Sequence, residues 1–139
     1  HHTSFVVVST LESAPVEEAR FFIDRLSEGE FHLGAVVLNK VLPASLLTRG
    51  STGTARSLAK NVTDVAGTLA SDFGEPAQVQ RVLREVADNF LNFQVVAKRE
   101  AEERAELGGA ADVVATVPYF VEDIADLAGL LRLGESLWR

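Results

Sequence analysis

The chain of 139 residues carries 13 basic and 20 acidic side chains, which gives a net charge of −7, and 47% of its residues are hydrophobic. This length and composition predict one folded domain and exclude a disordered chain, and no apolar run reaches the roughly 18 residues that span a bilayer. The acidic balance and the three lysines argue against nucleic acid as a partner. The absence of cysteine excludes disulfides and thiolate metal sites. We therefore expect a soluble protein of the cytoplasm.

The two ends of the chain predict a piece of a longer protein. His1-His2 looks like the remnant of an affinity tag, so we exclude residues 1–2 and assign residues 3–139 to a single domain. No methionine occurs anywhere in the chain, not even an initiator. We therefore expect the native protein to extend upstream of Thr3.

The first forty residues predict a strand, a helix and a second strand. Phe5–Val8 is a β-branched run typical of a strand buried on both faces. Ser13 is a suitable N-cap for the helix that follows. A second apolar run, residues 33–38, ends in Asn39-Lys40. Strand, helix and strand with short connections indicate a βαβ unit with parallel strands.

The middle of the chain predicts a helical hairpin of about residues 54–107. Gly50–Thr54 is typical of a connecting loop, and apolar residues at helical spacing predict a helix over residues 55–71. No glycine or proline interrupts residues 77–107, so we expect a helix of up to about 45 Å there. Its last turns are charged and hold i,i+4 pairs of opposite charge. We expect these turns to form the far end of the hairpin and to project from the sheet.

The last thirty residues predict a third strand and a short helix. Val113–Val117 runs into Pro118-Tyr119-Phe120, and Asp123 is a suitable cap for the helix after it. The order of the elements predicts an α/β fold, a partial parallel sheet of three strands with flanking helices. Three strands are few for such a sheet, which again indicates a missing upstream half.

Two familiar catalytic patterns are absent from the sequence. A P-loop needs Gly-Lys-Ser/Thr after a strand, and no lysine of this chain follows a glycine. We therefore expect Gly50–Thr54 to be a connector in which Ser51, Thr52 or Thr54 caps the next helix. His32 is the only histidine outside the tag, and we expect it to be a packed or surface side chain. No catalytic residue and no metal ligand is assigned.

The carboxyl ends of the second and third strands carry the side chains that best suit a ligand. The Asn39 amide offers a donor and an acceptor that match the edge of a purine, and the stem of Lys40 can cover its face. Pro118, Tyr119 and Phe120 form a rigid apolar element that can border a flat ring. Ligands of open α/β sheets bind at this edge. The residues alone leave two interpretations open, a base pocket and an ordinary strand end, because Asn and Pro are common in turns.

Three separated segments resemble the C-terminal half of the arsenical-pump-driving, or anion-transporting, ATPases, whose relatives include the ATPase that delivers tail-anchored proteins and the MinD-type ATPases. The segments are Thr3–Arg20, Val36–Pro43 and Val117–Leu130, in the family's order and spacing. The resemblance implies half of a Rossmann-like P-loop NTPase fold with a long helical hairpin. It also implies that Asn39 bonds adenine and that residues 118–120 border the base.

The resemblance further implies the chemistry of the complete protein. The family has Thr-Pro-Glu after the first strand, where this chain has Thr10-Leu11-Glu12, so Glu12 is a candidate for the edge of the site or a surface carboxylate. The family's phosphate loop and Mg²⁺ ligands lie in an N-terminal half that this chain lacks. ATP and Mg²⁺ are therefore expected in the intact protein and neither is expected on this chain, which alone should not hydrolyse ATP.

The expected partners are the chain's own N-terminal half, a second copy or a paralogue in a dimer, and a pump or other membrane protein. The cysteine pair with which some relatives bind zinc is absent. The first hypothesis is thus the adenine-side portion of a bacterial arsenite- or anion-transporting ATPase. The alternative is a non-catalytic partner-binding or dimerisation module on the same fold. A phosphate loop upstream of Thr3 would decide for the ATPase.

Overall fold

The computed structural model describes residues 3–137 and shows an α/β chain with a three-stranded parallel sheet. The strands lie side by side in chain order, and both neighbouring pairs are parallel: β1 (Ser4–Ser9), β2 (His32–Val41) and β3 (Val114–Pro118). This confirms the predicted sheet and its flanking helices. The tag remnant predicted at residues 1–2, and the last two residues, lie outside the described part.

Five α-helices connect or follow the strands within residues 3–137: α1 (Ser13–Glu28), α2 (Arg49–Lys60), α3 (Val62–Phe73), α4 (Pro76–Leu107) and α5 (Leu127–Leu137). A short 3-10 turn over Ala44–Leu47 precedes α2. None of these described helices has both the length and the apolar content of a membrane span.

The chain divides into two compact units. The sheet unit runs up to Pro43 and resumes at Arg99, so it holds the strands, α1, α5 and the last turns of α4. The helical unit is Ala44–Lys98. The long helix predicted over residues 77–107 is confirmed, since α4 is unbroken for 32 residues.

The core of the sheet unit lies between the sheet and α1. Its members alternate along the strands or recur at helical spacing: Val7, Leu11, Val16, Ala19, Leu26, Val36, Leu38 and Leu107. Leu107 comes from the last turn of α4 and is 2% exposed. Removing this apolar surface from water is the main stabilising contribution to the unit.

The other face of β1 is open, so the prediction that this strand is buried on both faces is wrong. Val6 and Val8 are 56% and 63% exposed, whereas Val7 and Ser9 are buried. Successive side chains of a strand point to opposite faces. Helix α1 packs on one face of β1, while α5 packs against β3, and therefore the second face of β1 stays uncovered within residues 3–137.

The predicted connector and the helix after it also differ from the structure. Residues 50–54 lie inside α2, and the single helix predicted over residues 55–71 is two helices with a break at Asn61. Neither Ser51, Thr52 nor Thr54 caps α2, because all three lie within it.

Side chains outside the segment explain why residues 50–54 are helical. The Thr48 hydroxyl is the actual N-cap and accepts the backbone N–H of Ser51 at 3.3 Å. From α4, the Gln94 amide donates to the carbonyl of Leu46 and to the hydroxyl of Thr52, both at 2.6 Å. These hydrogen bonds offset the low helix propensity of the two glycines.

The charged end of α4 contacts the sheet unit instead of projecting from it, so that prediction is wrong. The guanidinium of Arg20 lies 2.6 Å from Glu103 and 2.5 Å from Glu106. The Glu100 carboxylate accepts the backbone N–H of Leu42 at 3.0 Å. Glu103 and Glu106 thus bind α1, and Glu100 binds the backbone just after β2.

Candidate functional site

A bulge near the carboxyl end of β2 shapes the candidate site. Between the paired residues Leu38 and Val41, β2 has two residues where β3 has one, so Asn39 and Lys40 share this bulge. Lys40 has a φ of 57°, in the left-handed region that few residues other than glycine adopt. The strand therefore continues past the residues at which its end was predicted. Bulges redirect side chains next to functional sites.

The segment after β3 is tied to β2 at the same place. The backbone N–H of Tyr119 donates to the carbonyl of Val41 at 2.9 Å. Seven residues later, the Asp126 carboxylate accepts the N–H of Gly129 at 2.7 Å and thereby caps α5. The prediction that Asp123 caps this helix is wrong, since α5 begins only at residue 127.

The bulge, this segment and α5 surround a cavity of about 440 Å³ at the carboxyl edge of the sheet. All five residues predicted to bind a base line it: Asn39, Lys40, Pro118, Tyr119 and Phe120. Small-molecule sites commonly have volumes of about 300–1,000 Å³. The structure therefore brings together residues that lie on either side of the whole helical unit in sequence.

Sequence reasoning missed the remaining residues of the cavity. They come from the open sheet face, the segment after β3 and α5: Val8, Val37, Val117, Glu122, Asp123, Ile124, Leu133 and Leu137. Alternation along the strands was the available signal, because Val37 and Asn39 are two residues apart and share a face. The apolar side chains of the three strands give the cavity a surface on which a planar ring can pack.

The Asn39 amide is held by its own backbone. Its Oδ1 accepts the N–H of Lys40 at 2.9 Å, which fixes the orientation of the amide. No residue within 3–137 uses the two hydrogens of Nδ2 or the second lone pair of Oδ1, so these groups are available to a ligand. Asn39 therefore presents one donor and one acceptor side by side.

The charges around the cavity are mixed. Among the described residues, Lys40 is its one cationic lining side chain, and Glu122 and Asp123 are the acidic ones. Two carboxylates disfavour an anionic group beside them and can accept hydrogen bonds from hydroxyls. Within residues 3–137 no group of three or more His, Asp or Glu side chains is placed to hold a metal ion.

Glu12 does not line the cavity. It precedes α1 as the N-cap residue, the position predicted for Ser13, and its side chain makes no capping hydrogen bond. The turn beside it is fixed by Ser9, whose hydroxyl donates to the carbonyl of Pro15 at 3.0 Å. Oγ1 of Thr10 is buried without a hydrogen-bond partner among the described residues.

His32 lies at the amino end of β2, where its Nδ1 is 2.9 Å from the hydroxyl of Ser4. It is exposed and lies at the opposite end of the strand from Asn39, as a surface side chain. It takes no part in the cavity.

No protein-family model matches the chain, and no curated protein matches it at a significant level. The structure defines the class of the protein as an α/β chain with a ligand-sized cavity at the carboxyl edge of a parallel sheet.

Proposed function

We propose that the cavity binds the adenine base of a nucleotide and that the chain is the adenine-side, C-terminal part of an ATPase of the arsenical-pump-driving type, with a P-loop NTPase fold in the complete protein. The observation that carries the proposal is the convergence of Asn39, Lys40 and residues 118–120 on one cavity. Together they supply a hydrogen-bonding amide, a cation with an apolar stem and a rigid apolar border.

The hydrogen-bonding groups of Asn39 suit adenine better than a 6-oxopurine. Nδ2 donates to a ring nitrogen, while Oδ1 accepts from the exocyclic amino group. A carbonyl at the same position of the ring would face Oδ1, and two acceptors repel each other. The apolar surface of Val37 and Val117, with the side chain of Tyr119, borders the ring.

The triphosphate and Mg²⁺ belong in this proposal to an upstream half with a phosphate loop. Hydrolysis there would switch a dimer between open and closed forms, in the cytoplasm and in contact with a pump or another membrane protein. The exposed face of β1 is consistent with an upstream half that packs on it, since Val6 and Val8 are apolar and more than half exposed.

The second candidate function is a partner-binding or dimerisation module without chemistry. The exposed apolar side chains of α4 favour it, because a helix that packs on one side needs only one apolar stripe for that contact. Phe93 is 52% exposed and Val86 55%.

The proposal is tested by titrating the 139-residue chain with adenosine and, in parallel, inosine, while backbone amide shifts are followed by NMR. Adenosine should shift the amides of residues 39–41 and 117–124, with a dissociation constant of about 1–10 mM because the phosphates contribute nothing here. Inosine, which differs by a carbonyl at the 6-position, is the matched control and should bind several-fold more weakly.

Shifts confined to other parts of the chain, or none up to about 10 mM adenosine, would overturn the proposed base site. Equal binding of adenosine and inosine would overturn the role of the Asn39 amide.

A further inference from the structure

The backbone at the end of β2 is held by a side chain of α4. Leu38 is the last residue of β2 that pairs with β1, and Val41 is the last that pairs with β3. Leu42 therefore lies beyond both paired segments. Its backbone N–H donates to the Glu100 carboxylate at 3.0 Å. A hydrogen bond to a charged acceptor is stronger than one between neutral groups.

This hydrogen bond lies two residues from the left-handed residue of the bulge. Lys40 has a φ of 57°, a conformation that costs free energy and persists only where the surrounding structure holds it. The carbonyl of Val41 accepts the N–H of Tyr119 at 2.9 Å, and Glu100 holds Leu42. The bulge is thus fixed by one hydrogen bond from the segment after β3 and by one from α4.

The last turns of α4 are themselves fixed within the sheet unit. Glu100, Glu103 and Leu107 are spaced by three and four residues, so they lie on one face of the helix. Glu103 is 2.6 Å from the guanidinium of Arg20, and Leu107 belongs to the core. Glu100 is half-buried on this face. Its carboxylate is therefore presented to Leu42 from a fixed support.

We propose that Glu100 is a positioning residue of the base site, an inference that rests on the proposed binding of adenine. Through the N–H of Leu42 it fixes the bulge, and the bulge holds the Asn39 amide where that amide meets the base. The N–H of Lys40 bonds to Oδ1 of Asn39 at 2.9 Å, so a shift of this peptide group moves the amide with it. Glu100 does not line the cavity and acts through the backbone of β2.

Three substitutions separate this role from simple anchoring of α4. Glu100→Gln keeps an acceptor oxygen for the N–H of Leu42, whereas Glu100→Ala removes it. Alanine has the highest helix propensity, so α4 itself is retained in the second variant. Glu103→Ala is the matched control, because it removes the ion pair between α4 and Arg20 and leaves the Leu42 hydrogen bond in place.

The first test uses NMR of the 139-residue chain without ligand. Glu100→Ala should speed the exchange of the Leu42 amide with solvent at least about tenfold and should shift the amide resonances of residues 39–41. Glu100→Gln and Glu103→Ala should leave this exchange rate within about threefold of the wild type. Wild-type resonances of residues 39–41 in Glu100→Ala would overturn the positioning role.

The second test is adenosine binding, followed by the amide shifts of residues 120–124. Glu100→Ala should weaken binding about three- to tenfold, while Glu100→Gln and Glu103→Ala should stay within about twofold of the wild type. Wild-type affinity of Glu100→Ala, or an equal loss in Glu103→Ala, would overturn the positioning role and leave the base site standing. Failure of the wild type to bind adenosine would instead overturn the base site, and the resonances of the free chain still decide whether Glu100 fixes the bulge.

Discussion

The guanidinium of Arg20 lies 2.6 Å from a carboxylate oxygen of Glu103, so a residue of α1 holds the last turns of α4 across 83 positions of sequence. Both side chains are partly exposed, at 40% and 24%. Glu106 contacts the same guanidinium, and Leu107 next to it enters the core of the sheet unit. The charged end of α4 is therefore its attachment to the sheet.

Removing this ion pair should cost little stability. Glu103→Gln is expected to lower the free energy of unfolding by less than about 1 kcal/mol, because solvent screens a pair at this exposure. Urea denaturation measures the change. Glu28→Gln is the control, since it removes the more exposed pair with Arg25. A loss above about 2 kcal/mol for Glu103→Gln would contradict the prediction.

The apolar anchor of the same helix end should matter far more. Leu107→Ala is expected to lower the free energy of unfolding by about 2–5 kcal/mol, because the side chain is fully buried and leaves a cavity. Leu130→Ala, at a position 56% exposed, should change it by less than about 0.5 kcal/mol. Amides of residues 100–107 should also exchange slowly with solvent. Similar losses for the two leucines would mean that α4 does not anchor in this core.

The left-handed backbone of Lys40 can be tested by substitution. Lys40→Val is expected to lower the free energy of unfolding by about 1–2 kcal/mol, since a β-branched side chain fits poorly at a φ of 57°. Lys40→Gly should be close to neutral, because glycine accepts this conformation but gains freedom in the unfolded chain. Thermal unfolding of both variants gives the comparison. Equal stability of the two would show that the bulge is not strained at this residue.

Adenosine binding should depend on Asn39. Asn39→Ala leaves the base edge unpaired and should reduce the binding free energy of adenosine by about 1–3 kcal/mol, which is a roughly 5- to 150-fold loss of affinity. Asn39→Asp should be at least as harmful, because a carboxylate cannot donate to a ring nitrogen. Tyr119→Ala should cost less, since the backbone near Pro118 still borders the ring. NMR titration checks all three, with Asn92→Ala on α4 as the control. If the folded Asn39 variants bind adenosine as tightly as the wild type, Asn39 does not contact the base and acts only in the bulge of β2.

The chain by itself should not hydrolyse ATP. No lysine follows a glycine in it, so it offers no phosphate loop for a γ-phosphate. Phosphate release in the presence of Mg²⁺ should equal that of an Asn39→Asp preparation, which controls for contaminating ATPases. Release that disappears with this substitution would contradict the prediction.

Much of the fold follows from local pattern. The β-branched runs at residues 5–8 and 113–117 indicated strands, and the uninterrupted residues 77–107 indicated a long helix, because backbone periodicity is written in neighbouring residues. The gathering of Asn39 and Tyr119 at one edge was also predictable, since the carboxyl ends of neighbouring parallel strands meet.

Tertiary structure decided which face of each strand or helix is buried and which side chains bind the helix ends. The sequence by itself indicated the three strands, the long helix α4 and the side chains that suit a purine. Only the fold decided that residues 50–54 are helical, through Gln94 and Thr48, and that Glu103 meets Arg20 near the sheet. These contacts join residues far apart in sequence, and their energies override local propensity and charge pattern. For the same reason Val8 is exposed although its segment is as apolar as a buried strand, because burial depends on the elements that pack against a face and not on the strand itself.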